Sequence, residues 1–400
     1  MSQAIQKSAD ALPEPTKRFY FPELDVLRFF AFFAVFVFHL PTLDDPFFYE
    51  RYGALGSLGN SGAFGVDLFF TLSGYLITRL LLREREQTGD INLRAFYARR
   101  TLRIWPLYYF SLAFAFLLTR IPASIASAPP HLADVFAPMR LSTYFFMAIF
   151  LFNFNFANSL FYSPLPFMAH LWSISVEEQF YLFWPWFARY VPRRRIVVIP
   201  IVMLAVACIT RATLPVKLGT LDWNNTFTRL DPIAVGILIA LIPRLNPPPA
   251  LRLALVLIGF ASWLFASYYC GLPFQVSTLK VSMGFPAVAL GSGAFLLATL
   301  GAKSLRSGSA LVRRLIYLGK ISYGLYVYNT IATLTGMLFL YRGAFGTLVA
   351  AGHPPWSALP IYILLAFGLN VALAAVSYRW LEAPFLRLKE RFTRVPSRAV

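Results

Sequence analysis

Apolar residues fall in long runs separated by short polar connections. Eleven runs approach the length of a membrane crossing: roughly 24–40, 62–82, 101–119, 141–157, 170–188, 196–210, 230–243, 253–270, 281–300, 321–341 and 358–378. A bilayer-spanning helix takes about 20 apolar residues, with a range of about 17–25, so several runs sit near or below the limit. The first twenty residues are polar, end in KRFY, and carry no cleavable signal with a small-residue site. The first run is therefore expected to remain as an anchor, and the pattern predicts an all-α polytopic membrane protein.

Basic residues orient such a chain, because Lys and Arg accumulate in cytoplasmic loops. The stretch from Arg79 to Arg103 holds Arg79, Arg83, Arg85, Arg94, Arg99, Arg100 and Arg103, and is expected to be cytoplasmic. That places the N-terminus inside as well. The acidic loop with Asp44, Asp45 and Glu50 then lies outside, and the C-terminal tail with Arg387, Lys389, Arg391, Arg394 and Arg398 lies inside. Two inside termini require an even number of crossings, so one of the eleven runs does not cross. The clusters at Arg99–Arg103 and Arg189–Arg195 both belong inside, yet three runs lie between them. The weakest is 141–157, whose Asn153 and Asn155, with Asn158 just beyond, are costly against lipid. About ten transmembrane helices plus one re-entrant or surface helix are predicted. Eight basic residues are left for the far side: Arg51, Arg120, Arg140, Arg211, Lys217, Arg229, Lys280 and Arg342. The expected divisions are a polar cytoplasmic segment 1–21, a membrane domain 22–386 and a basic cytoplasmic tail 387–400.

Composition sharpens this picture. Of the 400 residues, 58% are hydrophobic and 14% charged, with a net charge of +18; soluble domains run near 45–50% and about 25%. A nucleic-acid binder carries its basic residues on a polar face, so no nucleic-acid partner is expected, and a soluble enzyme this apolar would aggregate. The two cysteines, Cys208 and Cys270, lie in apolar runs and read as small buried residues. Their number excludes a disulfide framework, and no metal site is expected.

Ionisable residues inside a membrane are costly and mark functional sites by default. Arg28 and His39 share the first run. Eleven helical steps turn about 1100°, which sets the two side chains within about 20° of one face and about 16 Å apart along the axis. Asp67 lies in GAFGVDLFFTLSGYLI, where Gly65, Ser73 and Gly74 permit close helix approach. Arg99 and Arg103 are at i and i+4 at the membrane edge, and the guanidinium fork suits bidentate phosphate contacts. HLWSISVEEQFYLFWPW (170–186) carries His170, Trp172, Ser173, Ser175, Glu177, Glu178 and Gln179. Adjacent helical positions point about 100° apart, so only one of Glu177 and Glu178 can face a given cavity squarely. A His and a Glu near one outer cavity can perform general acid/base work.

These segments resemble the acyltransferase family 3 integral membrane proteins. Arg28 and His39 look like that family's opening pair of a basic residue, ten residues, then His. GVDLFFTLSGYLI (65–77), FYARRTLRIWPLYY (96–109), HLWSISVEEQFYLFWPW, ISYGLYVYN (321–329) and RWLEAPF (379–385) are similar to family segments in the family's order, over about residues 22–390. The resemblance implies a membrane O-acyltransferase that moves an acyl group, with acetyl expected, from cytoplasmic acyl-CoA to a hydroxyl of a glycan or similar small acceptor. No permanently bound cofactor is implied; acyl-CoA is a co-substrate. It implies His39 as catalytic base, with Arg28 completing the motif, and associates Arg99 and Arg103 with acyl-CoA. Glu177 matches a family position and is taken as the second catalytic candidate, orienting His39 or binding acceptor hydroxyls. Asp67, Glu178, Trp172 and Ser173 are further candidates for the substrate and acyl-CoA site. The expected location is the bacterial inner membrane with both termini cytoplasmic. Many members carry an extracytoplasmic esterase-like domain; this sequence stops at Val400, so either glycan-biosynthesis partner proteins are expected to present the acceptor or the acceptor is expected to be of a different class. The rival reading is a multi-span transporter or exporter of a glycan or lipid-linked substrate, whose signature would be internal repeats; the two halves show no convincing duplication.

Overall fold

The computed structural model describes residues 20–40, 56–118, 141–155, 166–213, 221–243, 245–273, 277–306, 308–336, 351, 359–393 and 395. Residues 1–19 of the polar N-terminal segment lie outside these. So do the acidic loop with Asp44, Asp45 and Glu50, and Arg51, Arg120, Arg140, Asn158, Lys217 and Arg342. The end of the run 321–341 and Arg394 and Arg398 of the tail lie outside them too.

Among the described residues there is no strand. The principal helices are α1 (Pro22–Phe38), α2 (Gly65–Thr88), α3 (Leu93–Leu118), α4 (Leu141–Ala148), α5 (Trp172–Tyr190), α6 (Val198–Thr213) and α7 (Leu230–Leu241). They continue as α8 (Pro249–Leu264), α9 (Thr278–Thr299), α10 (Ala310–Lys320), α11 (Ser322–Gly336), α12 (Leu359–Ser377) and α13 (Ala383–Glu390). Among the described residues, four helical stretches, Gly56–Thr88, Pro249–Tyr269, Thr278–Thr299 and Pro360–Glu390, are long and apolar enough to cross a bilayer. The protein is an all-helical polytopic membrane protein. Its lipid side is legible in the exposed leucines of α8 and α12: Leu253 is 63% and Leu364 71% exposed. A water-soluble surface does not present such faces. Cys208 belongs to this outward layer on α6, whereas Cys270 is buried; an apolar run in a membrane protein has two apolar sides, and only one faces protein.

The run 141–157 is not one helix. α4 has eight residues and ends at Ala148, just before Phe150, whose φ is 56°. A short turn, Phe152–Asn155, follows. Eight residues rise about 12 Å, too little to cross. Tyr144 meets Phe116 near the far end of α3, while Tyr108 and Tyr109, midway along α3, donate to the Met147 and Ala148 carbonyls, both at 2.8 Å. The segment therefore runs about a third of the length of α3, from its far end toward its middle, and turns, as a re-entrant helix does. Asn153 is fully buried without meeting lipid: its amide donates to Thr226 Oγ1 at 2.7 Å, and it accepts from Gln179 at 3.0 Å.

Loops expected on one face meet there. Arg189 pairs with Asp90 at 2.7 Å and Arg193 with Glu86, which joins the α5–α6 connection to the α2–α3 connection. Arg306 pairs with Glu23 at 2.5 Å, joining the α9–α10 loop to the start of α1. Arg252 donates to the Leu300 carbonyl at 2.8 Å. These contacts define a basic end of the bundle; His39 lies at the opposite end of α1.

α2 is the central helix and packs on α1, α5, α7 and α9. Against α7 the approach is set by two glycines. A Cβ at Gly74 would stand 2.4 Å from the Ile233 carbonyl oxygen, and one at Gly236 2.1 Å from that of Thr71. Gly65 makes the same kind of approach to Ala31 of α1. Small residues are what allow backbones to touch in a bilayer, where burial from water supplies no force between helices. Gly74→Leu or Gly236→Leu is expected to lower stability by at least the roughly 1–3 kcal/mol of an overpacked core, read as a lower thermal midpoint of the detergent-solubilised protein. An unchanged midpoint would show that α2 and α7 separate freely.

Candidate functional site

A cavity of about 200 Å³ opens at the basic end between α1, α2, α3, α5 and α11. Tyr20, Phe21, Leu80 and Lys389 stand at its mouth, and Arg28, Arg100 and Arg103 line it. Its inner wall carries Ser73, Glu177 and Tyr181, and its far limit Ser173 and Tyr326. The arginines concentrate positive charge where helix ends meet, since α1 brings Arg28 and the first half of α3 brings Arg100 and Arg103. Arg28 also pairs with buried Asp25 at 2.7 Å. Arg100 stacks between Phe96 and Tyr181, 5.8 and 5.6 Å from the ring centroids.

Ser73, Glu177 and Tyr181 form one hydrogen-bonded group. Ser73 Oγ donates to Glu177 Oε1 at 2.6 Å, and Tyr181 OH stands 3.0 Å from Glu177 Oε2 and 3.1 Å from Ser73 Oγ. In the sequence Ser73 reads as a small packing residue; in the fold its hydroxyl serves this group. Glu178 points away, accepting from Trp105 Nε1 at 3.2 Å. The two adjacent glutamates thus divide between cavity and opposite flank, as their 100° separation requires.

At the far limit, Ser173 Oγ and Tyr326 OH are 2.6 Å apart, and both reach the His170 carbonyl, at 3.2 and 2.8 Å. The His170 ring centroid is 5.1 Å from that of Tyr326 and 6.2 Å from that of His39. His39 follows the last residue of α1, and its Nδ1 is 2.8 Å from the Val35 carbonyl. A carbonyl only accepts, so Nδ1 carries the proton and Nε2 keeps its lone pair. From cavity to His39 there is one row of contacts: Ser173, Tyr326, His170, His39.

The remaining sequence candidates lie elsewhere. Arg99 is 5% exposed and turned from the cavity, donating to Glu84 at 3.0 Å and to the Phe392 carbonyl at 2.7 Å. Asp67 is paired at 2.7 Å with Arg229, which is fully buried among the rings of Trp172, Trp223 and Phe285. Arg211 is likewise buried, with both terminal nitrogens on Asp231 at 2.8 and 2.7 Å. Two basic residues that the loop arithmetic sets on the far side are thus buried within the bundle, because each has a carboxylate to meet it. Removing one partner of such a pair strands a buried charge, at about 3–5 kcal/mol. Asp67→Ala is expected to destabilise the fold by that order, measured as thermal unfolding in detergent, and Arg229→Leu in the same chain to recover part of it. No recovery would mean that Asp67 holds more than Arg229.

The sequence assigns no site role to His170, Ser73, Arg100, Tyr181, Tyr326 or Lys389, which line the cavity or stand beside it. His170, Tyr181 and Tyr326 do stand within or beside the quoted segments, but nothing in linear order turns them toward the cavity.

A family model described as an acyltransferase domain matches residues 21–377. The O-acetyltransferase OatA of Staphylococcus aureus (strain NCTC 8325 / PS 47) is 26% identical over 386 residues, which covers 91% of this chain and 57% of that protein. A putative O-acetyltransferase of Staphylococcus aureus (strain COL) is 25% identical over 400 residues, covering 92% of this chain and 57% of its own length. The chain thus spans 57% of the length of these relatives. No solved structure matches it.

Proposed function

Since the chain belongs to the acyltransferase domain family over residues 21–377, we propose that it is a membrane O-acyltransferase taking an acyl group, acetyl first, from cytoplasmic acyl-CoA to an acceptor hydroxyl. The observation that carries this reading is the cavity: lined by arginines at the basic end, it stops one residue layer short of the His39–His170 pair. By the positive-inside rule the basic end is cytoplasmic, so the donor enters there and the acceptor approaches from the other side.

At about 200 Å³ the cavity is smaller than the roughly 300–1,000 Å³ of pockets for whole drug-sized ligands. It suits a slender chain. The pantetheine arm and thioester occupy it, and the phosphates of CoA remain at the mouth with Arg28, Arg100 and Arg103. The thioester carbonyl then lies near Ser173 and Tyr326. His39 Nε2 takes the proton of the acceptor hydroxyl as its oxygen attacks the carbonyl carbon. The tetrahedral intermediate collapses with cleavage of the carbon–sulfur bond. CoA leaves as thiolate and receives the proton that His39 gives up. Glu177 sits on the donor side with Ser73 and Tyr181, beside Arg100 and Arg103, and its part is to hold the wall against which the arm lies.

The similarity to O-acetyltransferases supports O-acetylation, and a glycan of the cell surface is the acceptor class proposed. Mass spectrometry of surface glycans from cells with the gene, without it, and with His39→Ala tests this. Acetyl groups present in the first and missing in the other two are expected. Identical glycans in all three would refute the acceptor class, and glycans unchanged only by His39→Ala would refute the base.

A further inference from the structure

The proposed reaction builds negative charge on the thioester oxygen, and His39, as base, does not meet that charge. The structure offers a group that does. His170 is 6% exposed and fixed on several sides. Its carbonyl takes the Tyr326 and Ser173 hydroxyls, and its Nδ1 is 3.1 Å from Thr330 Oγ1. Its Nε2 is buried and has no hydrogen-bond partner among the described residues. A buried polar atom left without a partner costs about 1–3 kcal/mol, and such atoms are rare enough to require a reason. The ring also stands between the cavity's far limit, at Tyr326, and His39. Thr330 Oγ1 can donate to Nδ1 or accept from it; the tautomer in which it donates carries the ring proton on Nε2, because a neutral imidazole has one donor and one acceptor nitrogen.

We propose that His170 Nε2–H donates to the oxygen of the tetrahedral intermediate, so that two histidines divide the chemistry: His39 accepts the acceptor's proton and His170 stabilises the oxyanion. This rests on the reading of His39 as base and adds a second catalytic residue to it. No proton is lost from His170 in the step. The hydrogen bond shortens as charge develops on oxygen and relaxes when the carbon–sulfur bond breaks. A preorganised donor of this kind is worth about 10²–10³ in kcat.

The two roles respond differently to glutamine. A Gln side chain places an amide N–H near the position of a histidine Nε2, whereas Asn reaches only as far as Nδ1. Membrane vesicles holding the full chain are given acetyl-CoA with the host's own acceptors, and release of CoA thiol is followed, with vesicles lacking the protein as blank. Equilibrium binding of acetyl-CoA to each variant reports that the cavity is intact. His170→Ala and His170→Asn are expected to lose about 10²–10³ in kcat with acetyl-CoA affinity unchanged. His170→Gln is expected to stay within about tenfold of the parent. His170→Gln falling as far as His170→Ala, or His170→Ala keeping its rate, overturns the proposal. If His39→Ala retains its rate, or the parent vesicles release no thiol, the underlying reading fails instead, and with it this assignment.

Discussion

His39→Ala is expected to lower acetyl transfer by about 10²–10⁴-fold, the usual worth of a positioned general base, while acetyl-CoA binds as before. His39→Gln is expected to fall equally far, since an amide does not take a proton. His39 suits this test because its backbone keeps its hydrogen bond when the ring is removed. The residue follows α1, and its own backbone N–H still reaches the Val35 carbonyl at 3.1 Å when the ring is gone. The ring is half-buried and meets Phe38 edge-on at 5.1 Å and His170 at 6.2 Å. Neither contact holds two helices together as Gly74 and Gly236 do. A lost rate in a protein that keeps its thermal midpoint and its acetyl-CoA affinity therefore reports chemistry. Thiol release at the parent rate from both variants would remove His39 from the reaction and leave His170 as the nearest buried imidazole.

The membrane architecture is legible in the sequence because two independent signals, apolar run length and the side on which arginines gather, agree along the chain. The segment 141–157 is the clearest instance: parity of the loops singles it out, and the broken helix at Phe150 is its physical form. Side-chain direction is less legible. Arg99 and Arg103 share a helical face in isolation, yet Glu84 of α2 captures Arg99, and Arg100 takes its place on the cavity wall. Asp67 reads as an isolated intramembrane acid, but its partner Arg229 is more than 160 positions away in the chain. His170 is legible only as one polar residue among several in its run, for the same reason. Its significance comes from Thr330, Tyr326 and His39, which belong to helices that only the fold brings together.

Arg100→Ala with Arg103→Ala is the second large effect. Each guanidinium on a CoA phosphate is a charge-assisted bond, worth about 1.5–3 kcal/mol, or roughly 10- to 150-fold in affinity. Acetyl-CoA affinity is expected to fall by at least the product of the two lower values, with the remaining affinity weakly dependent on salt. S-acetylpantetheine, which has the arm and thioester but no phosphates, separates the roles within the cavity. It is expected to bind parent and double variant alike, because Ser73, Glu177 and Tyr326 face the arm and only the arginines at the entrance are removed. Arg99→Ala makes the contrasting case. It strands Glu84, 0% exposed, and releases the Phe392 carbonyl, so its expected cost is about 3–5 kcal/mol of stability with acetyl-CoA affinity preserved in the folded fraction. Should the double variant bind acetyl-CoA as the parent does, or lose S-acetylpantetheine to the same degree, the phosphates do not lie with Arg100 and Arg103. Should Arg99→Ala instead weaken binding at constant stability, the phosphate site is the small cleft between Glu84, Arg99 and Lys389 on the outer side of that entrance.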